Sequence, residues 1–115
     1  MLTFSRITPR QVVARITKGE CVAFVDARGD DAFAQAGLQL SGAVRVRPDS
    51  IGRDAIRVPR GCAVVVYGRD ERDLDVARVA EGLRSHGFRE VRVLAGGFCA
   101  WVELRYAVQP SAAAA

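Results

Sequence analysis

Apolar residues along this chain fall into short unbroken blocks and longer stripes at helical spacing, and the two kinds alternate. Residues 21–25 and 62–67 are all-apolar blocks, too short for helices, which predicts central parallel strands covered on both faces. Residues 91–94 give another strand. Residues 43–47 alternate apolar positions with Arg45 and Arg47, the pattern of a strand exposed on one face and near the sheet edge.

Helical signals fill the gaps. Thr8, Pro9 and Gln11 supply an N-cap, a proline at N1 and a capping-box partner, with Ile7 and Val12 spaced for a hydrophobic staple; Lys18 and Gly19 close that helix. A short helix capped by Asp30 buries Phe33 before Gly37. Val76, Val79, Ala80 and Leu83 recur at i, i+3, i+4 and i+7, and Gly87 stops the helix they define. Gly96 and Gly97 then turn the chain into a last helical stretch anchored by Phe98 and Trp101. Residues 49–61 are turn-rich, with Ile51, Ile56 and Val58 as anchors, and residues 109–115 read as a flexible tail behind one domain over residues 1–108.

Strands alternating with helices define an α/β class with a mostly parallel sheet of about five strands flanked by helices. In such sheets the functional crevice lies at the carboxyl ends of the strands. Asp26, Arg28, the loop 68–73, Gly96 and Gly97 all map to that edge.

Composition narrows the classes of function. A chain of 115 residues forms one domain, and no run approaches the length of a membrane span. The start has no signal-peptide core, so the cytoplasm is the expected location. The net charge is +4, and the densest basic stretch, Arg45 to Arg60, is interrupted by Asp49 and Asp54 and holds no aromatic residue to stack a base. Nucleic acid and membrane are therefore not expected partners. Cys21, Cys62 and Cys99 form an odd set without metal-like spacing, and each sits in apolar company. They read as reduced, packed thiols.

The strand 62–67 opens into Gly68, Arg69, Asp70, Glu71, Arg72 and Asp73, which lead straight into a helix. A loop with helix N–H groups aimed into it can hold a phosphate, a sulfur oxyanion or a thiolate. This loop contains no Cys, Ser, Thr, His or Lys. Its acids, together with Asp75, read as helix capping in preference to magnesium binding. His86 reads as a surface position near a helix C-terminus, and Trp101 as a core plug.

Taken in order, residues 24–28 (Phe-Val-Asp-Ala-Arg), 40–46 (Leu-Ser-Gly-Ala-Val-Arg-Val), 64–67 with the following loop, 91–98 and Ala100-Trp101 resemble the rhodanese-like domain family over roughly residues 7–108. The resemblance implies that a Cys directly after the Tyr-ending strand carries a sulfane sulfur as a persulfide and passes it on. This chain has Gly68 there. The family's Gly-His pair ahead of Ser-Gly-Ala is replaced by Gly37-Leu38 and Gln39, and the loop is longer and more acidic than usual. Losing a covalent nucleophile costs on the order of 10^6 in rate. The expected function is thus a catalytically inactive domain, a binding or regulatory module whose former active-site rim meets a protein partner. Two alternatives are a sulfurtransferase or sulfur carrier using a displaced Cys99, and a small-anion sensor built on Arg69 or Arg72 and the loop amides. The resemblance gives Asp26 and Arg28 a scaffolding duty and implies no cofactor or metal.

Overall fold

The capping chemistry at Thr8 and Gln11 closes on itself. In the computed structural model, which describes residues 4–111, the Thr8 hydroxyl accepts from the Gln11 N–H at 3.1 Å and the Gln11 side chain accepts from the Thr8 N–H at 2.9 Å. Strand β1 (Arg6–Ile7) leads into this cap and α1 (Pro9–Thr17) leaves it, with Ile7 and Val12 both buried.

The apolar blocks become the centre of the sheet. Strands β2 (Val22–Asp26), β4 (Val44–Arg45), β5 (Ala63–Tyr67) and β6 (Val91–Leu94) join β1 in the order β1-β6-β5-β2-β4, and every neighbouring pair is parallel. The alternating segment takes the edge, with Arg45 half-buried and paired to Asp30 and Arg47 exposed. Side chains of β5 divide by parity: Val64 and Val66 face a core covered by α3 (Ile51–Asp54) and α4 (Asp75–Ser85), while Val65 and Tyr67 face α1 and α5 (Gly97–Glu103). Burial on both faces is why the central strands carry no polar alternation. The α4 stripe of Val76, Val79, Ala80 and Leu83 is wholly buried, and each large member contributes about 1.5–3 kcal/mol. Trp101 packs edge-on to Phe24 at 5.2 Å and donates its ring N–H to the Ala107 carbonyl at 3.0 Å.

Several expectations change. Helix α2 (Asp30–Ala36) is capped by Gly29 without a side-chain bond; Asp30 instead lies in the first turn beside Asp31, where both meet the positive end of the helix dipole. The turn-rich segment folds as α3 between two single 3-10 turns, pinned by Asp54, whose carboxylate accepts from the Arg47 N–H at 2.9 Å and the Ser50 hydroxyl at 2.8 Å. Ile56 is 83% exposed and anchors nothing. The tail reading fails at its start. Val108–Pro110 forms β7, antiparallel to β3 (Leu38–Leu40), and the Ser111 N–H donates to the Gly37 carbonyl at 3.0 Å. Residues 112–115 lie outside the described residues.

Cys21 and Cys62 are not reduced thiols either; a disulfide joins them. Strand register is the cause. Val22 pairs with Ala63, so the residues just before them stand side by side, with Cα atoms 4.8 Å apart. Parity and spacing of cysteines carry no information about which strands become neighbours. No helix among the described residues is long and apolar enough to cross a membrane.

Candidate functional site

The five parallel strands deliver their carboxyl ends to one edge, and two constellations form there. The first is a buried polar cluster. Asp26, the last residue of β2, receives Arg28 Nε on Oδ1 at 3.0 Å, Arg28 Nη2 on Oδ2 at 2.6 Å, and the Arg28 backbone N–H at 3.0 Å. The Tyr67 hydroxyl donates to the same carboxylate at 2.7 Å and accepts from the Leu40 N–H at 3.2 Å, while Arg28 Nη2 reaches the Leu38 carbonyl at 2.7 Å. Asp26 and Arg28 are 0% and 1% exposed, so neither charge would be tolerated without the other. The guanidinium also lies 4.3 Å from the centre of the Phe98 ring and 5.3 Å from that of Phe33.

Together these bonds tie the ends of β2 and β5 to β3. Burial, then the adjacent Asp26 charge and its hydrogen bond, push the Tyr67 hydroxyl well above the usual phenol range, so it serves as a donor and never as a phenolate.

The second constellation is the loop 68–73. The amides of Arg69, Arg72 and Asp75, expected to be open to an incoming anion, are engaged by the chain's own carboxylates. Asp73 Oδ2 accepts from the Arg69 N–H at 3.1 Å and Asp73 Oδ1 from the Asp75 N–H at 3.1 Å, while Asp70 Oδ1 takes the Arg72 N–H at 2.8 Å. The Asp70–Arg72 and Asp73–Asp75 bonds, i to i+2, are Asx turns, for which Asp is a preferred residue, while the Asp73–Arg69 bond reaches back four residues across the loop. A Cβ placed on Gly68 would stand 2.6 Å from both Asp73 Cβ and Oδ2 and 2.6 Å from Val76 Cγ2. The space a cysteine side chain would need is therefore filled by Asp73 and Val76.

The other wall of the loop is equally closed. Gly68 and Arg69 turn their carbonyls to the first turn of α5, where the Phe98 and Cys99 N–H groups donate to them at 2.8 and 3.0 Å. Gly97 permits this approach: its φ is +59°, and a Cβ there would meet the Gly68 oxygen at 2.7 Å. The first-turn N–H groups that might have faced a ligand instead cap the loop.

The structure thus brings Asp26, Arg28, the loop and Gly96-Gly97 to one edge, and adds members that the sequence reading passed over: the Tyr67 hydroxyl, the Leu38 carbonyl and the Asp73 carboxylate as a plug. Cys99, expected to be packed between Phe98 and Trp101, is exposed as a free thiol. Its neighbours face inward and it faces out, because α5 turns about 100° per residue. Arg69 and Arg72 project into solvent, and Arg6 pairs with Glu71 at 3.0 Å. His86 is exposed at the end of α4, its Nδ1 2.8 Å from the Gly82 carbonyl.

The model of the rhodanese-like domain family matches residues 8–104. Among solved structures, a rhodanese-like domain from an Anabaena protein is 21% identical, with a TM-score of 0.73 over 95% of this chain and 81% of its own. A full-length protein from Lactobacillus plantarum is 20% identical, with a TM-score of 0.78 over 92% and 88%. A Rhodopseudomonas palustris protein of unknown function, described as a possible tyrosine phosphatase, is 19% identical, with a TM-score of 0.71 over 92% and 85%. At these identities the likeness is one of fold. No curated protein matches the chain.

Proposed function

This chain belongs to the rhodanese-like domain family, and from that premise we propose that it is a catalytically silent member, a binding or regulatory module that meets a protein partner through the rim of the former active site. One observation carries the reading: at the nucleophile position stands Gly68, and the space beside it holds the Asp73 carboxylate. A persulfide cysteine needs both a sulfur and amides free to stabilise its anion. This loop has no sulfur, and its Arg69, Arg72 and Asp73 N–H groups are already bonded within the chain. The rim above it carries Leu74, 84% exposed, beside an open pocket of about 390 Å³ lined by Arg28, Asp30, Arg47, Asp49, Asp75 and Arg78. An exposed apolar side chain ringed by both signs of charge suits a protein surface better than a small anion.

The test is a graded one. Purified protein is expected to give no thiosulfate:cyanide sulfurtransferase turnover. Gly68→Cys alone is expected to gain no sulfur after thiosulfate treatment, because Asp73 and Val76 block the side chain; Gly68→Cys with Asp73→Gly and Val76→Ala, which removes the blocking atoms, is expected to gain one, read by mass spectrometry. Turnover of the unmodified protein at the rate of an active family domain would overturn the reading.

One observation favours a second reading, a sulfur carrier using a displaced thiol. Cys99 is exposed and its backbone is bonded to the loop at Arg69. Thiosulfate treatment of the unmodified protein decides it: a sulfur gained on Cys99 supports the carrier, and an unchanged Cys99 leaves the silent module.

A further inference from the structure

At the amino ends of β2 and β5, on the edge opposite the loop, lies a constellation that the family site does not use. The Cys21–Cys62 disulfide is at the surface there: Cys21 is exposed, and Cys62 forms part of the wall of an open pocket of about 500 Å³. Arg60, Phe88, Arg89 and Glu90 build the rest of that wall, with the Arg60 guanidinium 4.3 Å from the centre of the Phe88 ring. Glu90 is already engaged by Arg15 at 2.8 Å and Arg92 at 3.0 Å. Among the described residues, neither Arg60 nor Arg89 pairs with a carboxylate. The pocket therefore presents two uncommitted cations and one sulfur of an accessible disulfide.

We infer that this pocket is a thiol–disulfide exchange site for a low-molecular-weight thiol that bears carboxylates, a molecule of the glutathione class. The carboxylates meet Arg60 and Arg89, and the thiolate approaches Cys62, the sulfur-bearing residue of the wall. A new S–S bond forms between the incoming sulfur and Cys62. The Cys21–Cys62 bond breaks, its electron pair passes to Cys21, and the Cys21 thiolate takes a proton from water. A second thiol attacks the small-molecule sulfur of the mixed disulfide, releasing the oxidised small-molecule disulfide and leaving the Cys62 sulfur to be protonated. The protein gains two electrons and two thiols become one disulfide. Cys62 precedes and Gly68 follows the five residues of β5, and six steps of about 3.3 Å put about 20 Å between this chemistry and the silent loop, so the two are independent.

The test compares two small thiols on the native protein. Reduced glutathione and cysteamine, a cationic thiol, are added in parallel, quenched with N-ethylmaleimide at intervals and followed by peptide mass mapping. Glutathione is expected to appear on Cys62 with Cys21 alkylated. The double variant Arg60→Ala/Arg89→Ala is expected to slow the glutathione reaction by about tenfold, as the loss of two surface charge contacts would, and to leave the cysteamine rate unchanged. An adduct on Cys21 in the unmodified protein, equal slowing of both thiols in the variant, or three free thiols after exposure to oxidised glutathione would each overturn the inference.

Discussion

At the carboxyl ends of β2 and β5 the groups suited to an anion are largely held by the chain itself: Asp26 holds Arg28, and Asp73 holds the Arg69 and Asp75 amides. At the amino ends of the same strands a disulfide lies at the surface beside two arginines that, among the described residues, have no carboxylate partner. The usual rule for parallel sheets puts the crevice at the first edge. That rule rests on helix N-termini and loops pointing there, and it lapses once those donors are satisfied internally. Uncommitted groups are the better guide to where a ligand can act.

The largest expected effect breaks the carboxyl end. Asp26→Ala leaves Arg28 buried without its counterion and should cost about 3–5 kcal/mol, measured by urea unfolding; a cost below about 1 kcal/mol would mean that the cluster does not fix this edge. Next, the amino end: reducing the disulfide, or Cys62→Ser, releases a closed loop with a sequence separation of 41 and should cost about 2–4 kcal/mol by the same measurement. A smaller change sharpens the contrast. Asp73→Ala frees the Arg69 and Asp75 amides, so sulfate or thiosulfate at about ten times its dissociation constant should stabilise the variant by about 1.4 kcal/mol and leave the parent unmoved in a thermal-shift assay.

The smallest effect is a pH dependence. Burial raises the proton affinity of Asp54, but the Arg47 N–H, the Ser50 hydroxyl and the charges of Arg47 and Arg57 outweigh it and hold the carboxyl below its ordinary value. A lowered folded value means that this stabilisation is complete above the ordinary value of 3.8 and disappears as pH falls through the folded one. Stability of the parent should therefore drop more steeply than that of Asp54→Asn between about pH 5 and pH 2.

Legibility in the sequence followed the range of the interactions. The α1 cap, the α4 stripe and the β2 and β5 blocks are local patterns, and they read correctly because each is decided within a few residues. The β3–β7 pair joins three-residue strands about seventy positions apart, too short for any period to show, so Gln109 and Pro110 look like tail in the sequence. The disulfide needed strand order as well as pattern. A signal was present, since Cys21 and Cys62 each stand just ahead of a central block that the parallel fold sets side by side. At the site, the position of Asp26, Arg28 and Gly68 was legible from the strand ends. The plugging by Asp73 was not, because i to i+2 carboxylate turns and helix capping by external donors look alike in a string of acids.

The β3–β7 pairing bears on where the chain can be cut. The family match stops at residue 104, four positions before β7 begins. A fragment trimmed to that match would strip Leu38–Leu40 of its antiparallel neighbour β7, loosening the very backbone whose Leu38 carbonyl steadies Arg28. Expression boundaries drawn at the family limits would thus damage the rim from behind and, since the match begins at residue 8, also remove the edge strand β1.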